Sequence, residues 1–427
     1  MVVFLTGASG FIGRHVAAAL AIAGHSLILG LHRAPSSGAH GRVIAVDFTR
    51  DLDAATWRPR LAGVDVVVNT VGIFREHGAR TFDALHTGAP RALFAACVEA
   101  GVRRVIHLSA LGADDDAASA YHTSKREADR YLASLPIDSA IVQPSLVYGA
   151  GGTSARWFDT LASLPWIPVP GSGQQRVQPV HVDDVADAIV ALVGREGEPG
   201  MRYPVVGPSP VTLADFLLRL RRALGFGPAR VVRVPMTLVQ LAAGLGSRLP
   251  GTLLDREALA MLERGNTAPV DATRSLLGHD PRPIEAFVAR DDAPAASMRA
   301  ALAWLLPLLR LSIAVVWIWT GIVSLGLYPV EQSYALLARL RIEGVPATIM
   351  LYGAALLDLA LGVATLAMRD RKWLWRAQIA LIAGYTVLIS VGLPEFWLHP
   401  YGPIVKNLPL LVAIGLVATL EGRRWTT

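Results

Sequence analysis

The sequence predicts an α/β fold, a doubly wound parallel sheet with a small substrate-capping region, followed by an all-α four-helix transmembrane bundle. Three observations carry this. Nearly continuous Val/Ile/Leu runs alternate with helical stretches through residues 1 to about 150, as in a parallel sheet covered on both faces. Glycines cluster between the first strand and the first helix. From residue 301 onward the chain turns apolar, with 10 Lys/Arg and 6 Asp/Glu against 30 and 28 before.

In chain order, "VVFLTG" is a short apolar strand ending at a turn, and "IGRHVAAALAIAGH" follows with helical spacing, closed by Gly24. "SLILGLHR", "RVIAVDF", "DVVVNTVG" and "RVIHLSALG" read as further strands, with "ALHTGAPRALFAACVEAGV" helical between the last two. The chain opens directly in a strand with no signal-peptide pattern, so the N-terminal domain is expected in the cytoplasm.

The net charge of +6 does not point to nucleic acid. Four of the six units fall in the apolar tail, and no basic patch with interleaved aromatics occurs. One cysteine, Cys97, excludes an internal disulfide or a zinc site built on cysteines, and its apolar helical run makes it a core residue.

"TGASGFIG" holds Gly7, Gly10 and Gly13, with Ser9, Phe11 and Ile12 among them. A tight turn there aims backbone N–H groups and a helix N-terminus at a pyrophosphate, the dinucleotide-binding arrangement of a Rossmann-type sheet. The second strand ends "GLHRAP", with His32 and Arg33 and no carboxylate. Arg33 is placed to pair with a 2′-phosphate, so the expected cofactor is NADP, with NAD as the alternative. Asp47, followed by Phe48, ends the third strand and is placed to accept from an adenine amino group.

Ser109 ends the fifth strand, at the edge where open α/β sheets bind ligands. Tyr121 and Lys125 follow in "YHTSK", which reads as the start of a helix, so the two share a face at i and i+4. The chain has 40 basic residues but only three lysines, Lys125, Lys372 and Lys406. A phenol at pKa ~10 is a poor acid at neutral pH. A compact ammonium beside it stabilises the phenolate and can hold ribose hydroxyls, while a serine hydroxyl donates to a substrate oxygen.

The motifs "TGASGFIG", "VVVNTVG", "VIHLSALGAD", "YHTSK", "VQPSLVYGAGG" and "VQPVHVDDVADAI" occur in this order. With them, residues 1 to about 290 resemble the short-chain dehydrogenase/reductase superfamily. The likeness is to its atypical or extended branch, and there to the group related to the NADH-ubiquinone oxidoreductase accessory subunit of that fold. The resemblance implies that Ser109, Tyr121 and Lys125 form the catalytic triad. It also implies that Asn69, Val71 and Gly72 flank the cofactor, and that Pro144 to Val147 lie near the nicotinamide.

Residues 150–290 read as the capping part, apolar and arginine-rich. Asp183 or Asp184 is placed to cap one helix and Thr212 another. "ARDDAPAASMRA" has linker composition, so residues 291–303 are expected to join the two domains. Four apolar stretches follow, roughly 304–327, 347–368, 374–393 and 402–420, each near the ~20 residues that span hydrocarbon. Arg369, Arg371, Lys372 and Arg376 between the second and third, with Arg423 and Arg424 at the end, predict both termini on the cytoplasmic side of a bacterial-type cell membrane. Asp358 and Lys406 are ionisable residues within these stretches. Through "WIWTGIVSLGLYPVEQSYALL", "LYGAALLDLALGVATL" and "HPYGPIVKNLPLL" this tail resembles the DoxX-like membrane family, a likeness that suggests a lipid-soluble acceptor.

The reading that follows is a membrane-anchored NAD(P)H-dependent oxidoreductase acting on an apolar carbonyl or quinone-like substrate. The alternatives are a non-catalytic NADP(H)-binding scaffold or redox sensor with a membrane partner, and sugar-nucleotide epimerisation, against which the apolar capping region stands. No metal is expected.

Overall fold

The computed structural model describes residues 1–32, 41–246 and 256–421, so Arg33, Arg423 and Arg424 lie outside the described residues. Seven parallel strands form the main sheet: β1 (Val2–Thr6), β2 (Ser26–Leu31), β3 (Arg42–Ala45), β4 (Val66–Asn69), β5 (Arg104–Leu108), β6 (Asp138–Pro144) and β7 (Met201–Val205). Their spatial order is 3-2-1-4-5-6-7. The order reverses beside β1, which pairs with β2 on one side and β4 on the other, with Thr6 level with Asn69. Such a reversal opens a crevice at the C-terminal strand ends.

Alternation along each strand fills two cores. Val3 and Leu5 of β1 face α1 (Phe11–Ile22), while Phe4 faces α2 (Ala89–Glu99). On the second face Leu93, Phe94 and Cys97 of α2 meet Ala128 and Leu132 of α3 (Ala120–Ala133). Cys97 is fully buried, and desolvation pushes its thiol far above the usual range. On the first face α1 packs with α4 (Val182–Gly194) through Val16, Leu20, Val185 and Ile189.

The main sheet therefore extends past residue 150. Residues 201–205, expected in the capping part, form β7 and pair with β6, and α4 covers the sheet. The α4 cap also differs from expectation. His181 is the N-cap, accepting from the Asp183 amide, and Asp183 and Asp184 sit in the first turn, where carboxylates oppose the helix dipole. Asp184 instead anchors Arg282. In the capping part, residues 166–170 pair with 230–234, and α5 (Leu213–Ala223) buries Phe216, Leu217 and Leu220. Thr212 caps α5 as expected, accepting from the Asp215 amide at 3.1 Å.

The second unit, from Ala301, is helical: α6 (Ala293–Ile322), α7 (Val330–Arg339), α8 (Gly344–Ala367), α9 (Lys372–Gly392) and α10 (Asn407–Glu421). The segment read as a linker is helix from Ala293 on, since its alanines favour helix and Pro294 sits in the tolerant first turn. Helices α6, α8 and α9 are long and apolar enough to cross a membrane. The fourth expected span is shorter. "HPYGP" keeps the chain in turns, leaving α10 with 15 residues, about 22 Å of rise.

Close approach holds α6 against α8: a Cβ on Gly362 would stand 2.5 Å from Ile318 Cγ1, and one on Gly321 2.7 Å from the Ala355 carbonyl. At one end Glu421 accepts from Arg310 and the Trp375 indole, both at 3.2 Å. Lys406 is exposed ahead of α10 rather than inside a span, while Asn407 reaches Thr386 of α9 at 2.9 Å. Asp358 is buried.

Replacing Thr212 by Ala removes the α5 cap and is expected to cost about 1 kcal/mol, a melting-point drop of roughly 2–4 °C by calorimetry, with Thr212→Ser near wild type.

Candidate functional site

The glycine turn sits in the crevice between β1 and β4. Gly7 has φ +81°, open to glycine at no steric cost, and its carbonyl accepts from the Gly10 amide at 2.8 Å. A Cβ on Gly13 would stand 2.0 Å from the Gly7 carbonyl, and one on Gly7 2.7 Å from Thr70 Oγ1. The strand–turn–helix junction thus closes only with glycine at both places. Helix α1 starts at Phe11 with Gly10 as an N-cap that has no side-chain bond, and Ser9 and Gly10 are exposed. Its first-turn amides are left for a ligand, which fits a dinucleotide pyrophosphate. The Phe11 ring packs on Gly149 and Gly152, and Arg14 donates to the Ala150 carbonyl at 2.7 Å, drawing the 149–152 turn onto the same edge.

Other expected cofactor positions divide. Ile12 and Val147 pack on one core and Val71 on the other. Pro144 ends β6 and takes the Leu111 amide on its carbonyl at 3.0 Å. Phe48 turns into the core against Trp57, ring centroids 5.3 Å apart, so its side chain does not face the crevice. Asn69 is fully buried and also turned inward: its Oδ1 accepts from Thr6 Oγ1 at 2.8 Å, and its Nδ2 contacts His107 Nδ1 at 3.2 Å. Asp47 Oδ1 already accepts from the Thr49 hydroxyl at 2.7 Å. Burial opposes its ionisation, but the Thr49 bonds together with His32 and Arg50 hold its carboxyl below the usual range.

Helix α3 carries two of the residues expected to be catalytic. Ser119 caps it, accepting from the His122 amide at 3.2 Å, and the helix brings Tyr121, Lys125 and Asp129 to one face at successive turns. The Tyr121 ring is walled by Phe74, Phe82, His86 and His122 at centroid distances of 5.2, 6.1, 5.5 and 5.3 Å. Lys125 is buried; its Nζ donates to the carbonyls of Leu108 at 3.0 Å and Val71 at 3.4 Å. A Cβ on Gly72 would stand 3.3 Å from that ammonium, so glycine there lets the backbone pass close to it.

Charge at the site differs from expectation. Burial, with the Asp129 carboxylate nearby, pushes the Tyr121 phenol up to about 12. The Lys125 ammonium does not offset this, because it is turned to backbone carbonyls. Desolvation brings Lys125 itself down to about 8, against the pull of Asp129. Ser109 is also engaged: its Oγ donates to Asp129 Oδ2 at 2.7 Å.

Sequence reasoning passed over three residues of this network. Asp129, His86 and His107 are all buried. Desolvation pushes Asp129 up to about 6, and with Lys125 and His107 nearby it drives His86 down to about 2. Neutral His86 accepts the Ile73 amide on Nε2 at 3.0 Å, so its Nδ1–H points to Ser124 Oγ, 3.0 Å away. The i+4 spacing from Lys125 to Asp129 was the available signal.

The profile of the NAD-dependent epimerase/dehydratase family matches residues 3–205, and that of the DoxX-like family residues 314–415. A mitochondrial NADH dehydrogenase [ubiquinone] 1 alpha subcomplex subunit 9 from Arabidopsis thaliana is 28% identical over 253 residues, 56% of this chain and 61% of its own. A ceramide reductase from Caulobacter vibrioides is 31% identical over 208 residues, 48% and 62% of the two chains. This chain therefore spans about three fifths of the length of these relatives. An NADPH-dependent quinone oxidoreductase from Escherichia coli, solved with NADPH, shares the fold with a TM-score of 0.53 at 20% identity, over 69% of this chain and 99% of that one.

Gly13→Ala forces its Cβ onto the Gly7 carbonyl. Overpacking of this kind costs about 1–3 kcal/mol, so titration calorimetry is expected to show nicotinamide dinucleotide binding about 10- to 100-fold weaker. Over residues 3–205 the chain is thus similar to the NAD-dependent epimerase/dehydratase family, on a Rossmann-type parallel sheet, and over residues 314–415 to the DoxX-like family.

Proposed function

We propose that this protein is a membrane-anchored, NADP(H)-dependent reductase of an apolar carbonyl or quinone-like substrate. The observation that carries the proposal is the Tyr121–Lys125 pair, Tyr121 half-buried and Lys125 buried on one helical face, with Gly72 bringing the β4 turn against the ammonium. Bound at the glycine turn, the cofactor would supply a hydride. The chain's own part is the proton and the geometry. Gly7, Gly10 and Gly13 present the α1 amides to the phosphates. Lys125 offers its ammonium to ribose hydroxyls. Tyr121 delivers its proton to the nascent alkoxide oxygen, and the surrounding aromatic wall excludes water.

Two features support an apolar substrate. The capping part exposes Leu238 and Leu241, and the DoxX-like unit ties the chain to the bilayer, where such substrates partition. Among the relatives, one is named for ceramide reduction and a fold neighbour for quinone reduction. Arg310 meets Glu421 at the end of the bundle that also carries the arginine-rich 369–376 segment, which supports placing that end, and the reductase domain, on the cytoplasmic face.

Purified protein in lipid nanodiscs, given NADPH with a panel of quinones and long-chain ketones, is expected to oxidise the cofactor. Tyr121→Phe lowers kcat at least about 100-fold while binding persists. Unchanged rates in Tyr121→Phe would sink the assignment, and NADPH binding with no turnover on any substrate favours the scaffold reading. Because the β2 end carries His32 and Arg33 and no carboxylate, NADPH is expected to bind at least about tenfold more tightly than NADH, a preference that Arg33→Ala removes.

A further inference from the structure

Ser109 faces the wrong way for carbonyl reduction. Its hydroxyl donates to Asp129 Oδ2, 2.7 Å away, so only lone pairs are left for a substrate. A carbonyl oxygen needs a donor. Behind Ser109 the carboxylate is only partly satisfied. Gln143 Nε2 reaches Oδ2 at 3.5 Å, and among the described residues Oδ1 has no hydrogen-bond partner. His107 Nε2, also without one, stands 3.6 Å from Oδ1. Since Asn69 Nδ2 occupies His107 Nδ1 at 3.2 Å, the neutral ring carries its proton on Nε2, aimed at Asp129.

We propose that Asp129 is a protonation switch that sets whether Ser109 accepts from or donates to the substrate. With the carboxyl ionised, Ser109 donates its hydrogen bond to Asp129 and its oxygen accepts, which suits a bound alcohol. When Asp129 takes a proton from solvent on Oδ2, it donates to Ser109 Oγ. The serine O–H is then freed for a carbonyl oxygen, and Oδ1 still faces the His107 N–H. Losing the negative charge also removes one of the influences that hold the Tyr121 phenol high, so the same proton makes the acid stronger. Asp129 acts through Ser109 and Tyr121 and is a positioning residue.

The groups facing it are Ser109 and His107 beside and on β5, Gln143 on β6, Lys125 and Tyr121 on its own helix, and Arg202 on β7. Burial places the transition near pH 6, with Ser109, Lys125, Arg202 and Gln143 pulling it down.

The activity arm of the test rests on the reductase reading; a spectroscopic arm does not. With the full chain in nanodiscs, infrared difference spectra of wild type minus Asp129→Asn are expected to show a protonated-carboxyl band that grows as pH falls through about 6. A carboxyl that stays ionised down to pH 4.5 overturns the switch whatever the activity. In wild type, kcat/KM for carbonyl reduction falls about tenfold per pH unit above that transition. Asp129→Asn, a neutral donor, removes this limb and raises the rate at pH 8 at least about tenfold, and in a Ser109→Ala background only the smaller part that runs through Tyr121 remains. A limb that persists in Asp129→Asn, or a variant inactive at every pH with cofactor still bound, overturns the proposal. If neither protein oxidises NADPH with any carbonyl, the reductase reading fails and the infrared band alone decides the switch.

Discussion

Two opposite charges buried one helical turn apart govern this site. Lys125 and Asp129 are both withdrawn from water, and each is held less readily ionised by that withdrawal and more readily by the other. Neighbouring groups follow from the pair. Burial keeps His86 and His107 neutral, with the nearby cation adding to it, burial raises the Tyr121 phenol, with the nearby anion adding to it, and the backbone carbonyls of Leu108 and Val71 turn toward the ammonium. The sheet supplies the dry floor on which such an arrangement can persist. Because β4 and β5 end level with each other, Asn69 and His107 stand side by side in register and join the carboxylate to the crevice wall.

Much of this was legible in the sequence because it depends on local chemistry. Glycine at positions 7 and 13 follows from a turn that tolerates no Cβ. The helix beginning at "YHTSK" follows from the i+4 spacing of Tyr121 and Lys125, and Thr212 announces itself as a cap by its place before an amphipathic run. What stayed hidden depends on tertiary neighbours. Nothing in "READRY" says that Asp129 receives the Ser109 hydrogen bond, because the partner is 20 residues away on another element. The same holds for Asn69, which follows three valines in sequence but whose partners come from β1 and β5, and for β7, whose membership in the main sheet is decided by pairing with β6. The crowding of Phe48 against Trp57 likewise needs the fold to be seen.

In the second unit the same division holds. Length and hydropathy located α6, α8 and α9, since nothing but an apolar run of that length is required. The start of α10 was misplaced because proline and glycine in "HPYGP" delay helix without interrupting the apolar character on which the span was read. Small residues at the α6–α8 crossing, Gly321 and Gly362, bring backbones together where lipid offers no hydrophobic drive. The polar contacts add end-specific ties: Glu421 gathers Arg310 and Trp375, and Asn407 joins Thr386.

The core position of Cys97 has a practical side. Its thiol is sealed under α2, fully buried and far from the thiolate form that alkylating and oxidising reagents attack. The chain is thus silent toward thiol chemistry while folded, without replacement of Cys97. Any cysteine introduced at an exposed site becomes a unique attachment point for a dye or spin label, on a protein whose natural sequence is otherwise unaltered.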